Sequence, residues 1–114
     1  MIRILATALL ALSLTASGAF ATSWVDLVLV DGLYHKKDTD VPFTGKLDEE
    51  TARGEFKNGK MEGPWVIYYD SGTLMAKGAF RNGIQEGPWV AYHTDGTKNE
   101  DLSGTYRNGE KVSD

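Results

Sequence analysis

Twelve residues, GEFKNGKMEGPW from Gly54 to Trp65, return as GAFRNGIQEGPW from Gly78 to Trp89, 24 positions further along the chain. The echo runs on: EGPWVIYYDSGT from Glu62 and EGPWVAYHTDGT from Glu86 agree at eight of twelve positions. A third version, GTYRNG, begins at Gly104, so the phrase recurs at spacings of 24 and 26 residues. Internal periods of this size mark chains built from one supersecondary element that buries its surface only against its neighbours.

The element that fits is a β-hairpin. WVIYY and WVAYH are short runs of aromatic and β-branched residues. They lead into DSG and TDG, whose glycine supplies the left-handed residue of a three-residue turn. KNG and RNG do the same at the other end, closing one hairpin and opening the next. Gly59, Gly63, Gly72, Gly83, Gly87 and Gly96 are therefore structural marks of the repeat. The competing assignment, a glycine loop around a phosphate or cofactor, needs a strand before the loop and a long helix after it. The sequence supplies no such helix, and Pro64 and Pro88 would break one; they suit the first residue of a strand.

Upstream, LVLV (Leu27 to Val30), Asp31-Gly32 and LYHK (Leu33 to Lys36) spell another hairpin around a two-residue turn. VPFTGKL, from Val41 to Leu47, is a strand that opens a shortened first unit. The polar stretch from Thr97 onward has the character of a terminal unit facing water. The expectation is an all-β fold of stacked antiparallel β-hairpin repeats, with seven or eight strands in up-and-down order. Residues 22–40 form the N-terminal hairpin, free also to lie over the sheet as a lid, and residues 41–114 form the repeats.

Residues 1–21 have a different character. Arg3, the apolar run from Ile4 to Leu14, and Ala19 and Ala21 in an A-x-A pattern predict a helical secretory signal peptide cut after Ala21. Its apolar core is too short to cross a bilayer of about 30 Å as a helix. The expected location is the periplasm or the medium. Cleavage removes one of 12 basic residues and none of 16 acidic ones, leaving 11 − 16 = −5. Nucleic acid and anionic membranes bind through clustered Lys and Arg, so neither is an expected partner, and no transmembrane segment remains after cleavage. The absence of cysteine excludes a disulfide framework, a thiolate metal site and a nucleophilic thiol.

The two long units and the leader DGLYHKKDTDVPFTGKL resemble the MORN-repeat variant family, which includes bacterial YwqK-type antitoxin-like proteins of toxin-antitoxin systems. The resemblance covers nearly all of residues 22–114. It implies an elongated, twisted antiparallel sheet of hairpins and a role in binding or scaffolding. An export signal departs from the cytoplasmic setting that the antitoxin label implies.

Alternation along a strand puts Trp65, Ile67 and Tyr69 on one face, with Val66 and Tyr68 on the other. The next unit repeats this with Trp89, Ala91 and His93 against Val90 and Tyr92. Trp24, Phe56, Trp65, Phe80, Trp89 and Tyr106 are candidates for aromatic columns, whose first use is as core. A one-layer sheet cannot bury both faces. Trp65, Tyr68, Trp89 and Tyr92 are therefore the candidate binding residues, with a shallow groove on the Tyr68 and Tyr92 side for an extended peptide, a protein or a polysaccharide. Unpaired edge strands offer a route to a homo-oligomer.

Catalysis has little material. His93 stands where the preceding unit has Tyr69, and neither it nor His35 has an oriented partner in the sequence. The carboxylate runs at Asp38 to Asp40 and Asp48 to Glu50 lack the glycine and the twelfth-position glutamate of a calcium loop and count as solvated loop charge. No metal, no cofactor and no enzymatic activity are expected. The chain is expected to be an exported binding module for a protein or glycan of the cell envelope. The alternatives are an antitoxin or immunity-type inhibitor of a toxin and, more remotely, a small hydrolase.

Overall fold

The computed structural model of the chain describes residues 21–114. The signal peptide expected over residues 1–21 therefore lies outside the described residues, Ala21 excepted. The molecule is all-β, and the local cause is the turn chemistry. Asn58 (φ 51°) and Gly59 (φ 85°) both adopt the left-handed conformation, as do Asn82 with Gly83, Asn108 with Gly109 and Asp31 with Gly32. This is the two-residue primed turn, whose twist matches that of the strands it joins. KNG and RNG thus close hairpins with two residues and not three, because asparagine tolerates the left-handed region beside glycine. DSG and TDG make the three-residue turn: Tyr69 N–H donates to Thr73 O at 2.8 Å and Gly72 N–H to Tyr69 O at 2.9 Å. His93, Thr97 and Gly96 repeat those two bonds.

Nine strands result among the described residues. They are β1 (Leu27–Val30), β2 (Leu33–Lys36), β3 (Gly45–Glu49), β4 (Ala52–Lys57), β5 (Lys60–Tyr68), β6 (Leu74–Arg81), β7 (Ile84–Ala91), β8 (Gly104–Arg107) and β9 (Glu110–Ser113). β1 and β2 form their own two-stranded sheet, and β3 to β9 form a seven-stranded sheet in chain order. All of these strand pairs are antiparallel. Two local expectations change. The strand expected over residues 41–47 starts only at Gly45. Ahead of it Phe43 is held as a crossing point, donating to Tyr34 O at 2.8 Å and accepting from Gly59 N–H at 2.7 Å. Pro64 and Pro88 sit inside β5 and β7, not at their starts. Gly63 (φ 77°) and Gly87 (φ 81°) bend each strand immediately before its proline, so the missing N–H falls at an irregularity and the strand continues.

Cross-strand partners share a face. Trp65 pairs with Gly78 and Trp89 with Gly104, whereas Val66 pairs with Lys77 and Lys77 with Val90. One face is therefore aromatic. Phe56 and Trp65 meet edge to face at 5.3 Å, Trp65 and Phe80 at 6.1 Å, and Phe80 and Trp89 at 5.1 Å. Each such contact contributes about 0.5–1.5 kcal/mol beyond the burial of its area. The rings fit because β4 and β6 carry glycine beneath them: a Cβ at Gly54 would overlap the indole of Trp65, and one at Gly78 that of Trp89. Both indole N–H groups are satisfied, Trp65 Nε1 by Glu55 O at 3.1 Å and Trp89 Nε1 by Ala79 O at 3.0 Å. Tyr106 continues the buried row, its hydroxyl donating to Leu102 O at 2.7 Å.

The segment from Thr22 to Phe43 covers this face at the β3 end. Thr22 adds to the edge of β3, donating to Lys46 O and accepting from Asp48 N–H at 3.1 Å each. A 3-10 turn over Trp24–Asp26 then sets the Trp24 ring 5.9 Å from Phe56 and 6.0 Å from Trp65. Tyr34 of β2 and Phe43 approach Phe56 at 5.1 and 5.7 Å. Leu27, Leu47, Ala52, Phe56 and Trp65 form the resulting core, in which Trp65 is 0% exposed. A two-stranded hairpin is marginal in water by itself, so β1 and β2 gain their stability from this docking.

Candidate binding face

With the aromatic face turned inward, the accessible chemistry lies on the opposite side. There the strands place Val66, Lys77 and Val90 in a cross-strand row. Pro64 and Pro88 lie two residues before the valines, on the same side by strand alternation. Together with Trp65, Gly78 and Trp89 these residues line an open groove of about 390 Å³ over β5, β6 and β7. Its only charged side chain is Lys77, which is exposed and makes no ion pair among the described residues. The ladder between β6 and β7 is irregular here, with a register shift between Lys77 and Ala79.

Two further hollows flank it. One of about 440 Å³ spans β3, β4 and β5, where Arg53 takes the place that Lys77 has in the next unit, and it carries Lys46, Asp48, Glu55 and Glu62 as well. Arg53 Nε lies 3.1 Å from Asp48 Oδ1, an exposed pair of the kind that contributes little to stability. The other, about 240 Å³, lies over β7 and β8, with Lys98, Glu100, Ser103, Thr105 and Asp114 around it. The central groove is thus apolar with one cation, and its neighbours are mixed in charge.

The four residues proposed from the sequence divide. Trp65 and Trp89 are buried, at 0 and 6% exposure, and pack beneath the groove that they help to line. Tyr68 closes β5 and Tyr92 follows β7; both are half-buried and stand outside the lining of the central groove. Tyr92 O accepts the Tyr69 hydroxyl at 2.8 Å, which ties consecutive units together. Alternation had already set Val66 and Val90 on the Tyr68 and Tyr92 face; Pro64 and Pro88, the other neighbours of the tryptophans in the repeated PWV, are the lining residues that sequence reasoning passed over. Their signal was the alternation rule itself: what flanks a buried tryptophan in a strand faces the other way.

Of the six glycines marked as structural, all have positive φ, between 77° and 96°. His35 is half-buried beside Pro42, to which it forms an isolated bridge, and His93 is exposed in a turn. Among the described residues no three His, Cys, Asp or Glu side chains gather as metal ligands, and no helix is long and apolar enough to cross a membrane. β1 and β9 are edge strands, and Val28, Leu29 and Val30 of β1 are exposed. The Glu49 carboxylate ties the N-terminal segment to the sheet. Its Oε1 accepts the Ser23 hydroxyl at 2.6 Å and the Trp24 N–H at 2.9 Å, and its Oε2 accepts the Thr51 hydroxyl at 3.0 Å. Compared with family models, curated proteins and solved structures, the chain matches none of them.

Proposed function

We propose that the chain is a non-enzymatic, exported repeat module of the MORN type, and that it binds an extended segment of a partner protein in the cell envelope. The observation that carries this is the one-sided use of the sheet. Its aromatic face is covered at the β3 end by its own N-terminal segment, while the opposite face keeps an apolar groove between repeated Pro-x-Val strands. Apolar area with a few polar groups around it is the usual make-up of a recognition surface. Lys77 adds an attraction for acidic residues beside the apolar contact. Successive hollows lie two strands apart, about 9.6 Å at ordinary strand spacing, which is close to the advance of three residues in an extended peptide. A polypeptide crossing the strands would therefore meet equivalent positions of consecutive units at a regular interval.

Selection from a random peptide library on the immobilised chain tests this proposal. Enriched peptides should lose affinity at least about tenfold, or ~1.4 kcal/mol, when Val66→Thr and Val90→Thr are combined, because the β-branched replacements keep the strand and remove apolar surface. The melting temperature should stay nearly unchanged. No enrichment, or enriched peptides that bind the double variant equally well, would contradict the proposal.

A further inference from the structure

Three chemically equal steps head the tight turns: Lys57-Asn58-Gly59, Arg81-Asn82-Gly83 and Arg107-Asn108-Gly109. Asparagine before glycine is prone to lose its side-chain amide, because an unhindered glycine nitrogen can reach the asparagine side-chain carbonyl. In the fold that nitrogen is engaged by the preceding unit. Gly59 N–H donates to Phe43 O at 2.7 Å, Gly83 N–H to Met61 O at 2.8 Å and Gly109 N–H to Gln85 O at 3.1 Å. The asparagine N–H groups follow the same series: Asn58 to Thr44 Oγ1 at 2.8 Å, Asn82 to Glu62 Oε1 at 2.9 Å and Asn108 to Glu86 Oε1 at 3.2 Å. Both sets of bonds lengthen toward the C-terminus. Gly59 is buried beneath the N-terminal hairpin, whereas Gly83 and Gly109 are exposed, so the second turn is set apart from the third by its shorter bonds and its place inside the sheet. The last hairpin also has the least support, since β8 and β9 are four residues each and β9 is an edge.

We infer that Asn108 is the site of spontaneous deamidation in the folded protein, and that the preceding units protect Asn58 and Asn82. Local opening costs least in terminal elements, and opening frees both the glycine nitrogen and the backbone torsions the reaction needs. The Gly109 nitrogen gives its proton to solvent base and attacks the Asn108 side-chain carbonyl carbon. A C–N bond forms, the bond to the amide nitrogen breaks, and ammonia leaves. Water then opens the five-membered imide at either carbonyl, leaving aspartate or isoaspartate. The two products differ in consequence. Aspartate fits this turn, since Asp31 (φ 52°) heads the same turn before Gly32. Isoaspartate lengthens the backbone by a methylene, so a two-residue turn no longer closes and β9 is released from β8, exposing a new sheet edge.

The folded full chain, incubated in mildly alkaline buffer, is digested at intervals and each asparagine followed by mass spectrometry. Position 108 should convert at least about tenfold faster than 58 or 82, and in denaturant all three should convert at similar rates, because their neighbours are alike. Equal rates in the folded chain, fastest conversion at 58 or 82, or no selectivity beyond that of the denatured chain would overturn the inference. The isoaspartate fraction, separated by chromatography, should melt below both the starting chain and an Asn108→Asp variant; equal melting of all three would overturn its structural consequence.

Discussion

Gly54 and Gly78 decide more at the level of single residues than the aromatic side chains they support. An indole lies flat over each, and a methyl group at either position would occupy the space of a buried ring. Gly78→Ala should therefore cost about 2–4 kcal/mol, as overpacking of a well-filled site does. Gly63→Ala makes a useful contrast, because nothing stands within 4 Å of the added carbon and only its φ of 77° is unfavourable. Its cost should be about 1–2 kcal/mol. Urea denaturation of the two variants checks the order; a Gly78→Ala chain as stable as Gly63→Ala would mean that the indole moves aside freely. These roles were half legible in the sequence. The recurrence of glycine at 54, 78 and 104 was plain, but a glycine required by a left-handed turn and one required by a ring across the strand look the same in a string of letters.

Among the elements, the N-terminal segment is held by ring packing and backbone pairing and also by one charged side chain. The Glu49 carboxyl is kept below the ordinary glutamate range, first by the Ser23 hydroxyl and then by the Trp24 N–H; desolvation opposes them, and the Thr51 hydroxyl adds a lowering weaker than that opposition. A carboxylate whose folded pKa is lowered adds stability above its unfolded pKa, and that stability is lost as pH falls through the folded value. The difference in unfolding free energy between the chain and its Glu49→Gln variant should thus be constant near neutrality and shrink on acidification below the ordinary glutamate range. A difference that does not change with pH would show that the charge is not what holds the segment. The hairpin of β1 and β2 was readable residue for residue from Asp-Gly between two apolar runs. That it would dock with Trp24 and Tyr34 on Phe56 was not, because no local pattern states which surface a small hairpin will cover. The boundaries at Pro64 and Pro88 misled for a related reason: a left-handed glycine just ahead lets a strand absorb the proline.

The described chain measures 55 × 29 × 22 Å, a long sheet whose aromatic face is covered at the β3 end by the N-terminal segment. Sequence alternation foresaw an aromatic row that includes Phe56, Trp65, Phe80 and Trp89. It assigned the tryptophans to both core and binding, since periodicity separates the faces without saying which one the N-terminal segment will occupy. The account turns on that choice: the Val66, Lys77 and Val90 side meets the partner and the aromatic side does not. Backbone amide shifts recorded while a library-selected peptide is titrated into the isotope-labelled chain test it most directly. The account predicts shifts concentrated at Val66, Lys77, Gly78 and Val90, with Trp24, Tyr34 and Phe43 unmoved; shifts concentrated on Trp24, Tyr34 and Phe43 would contradict it.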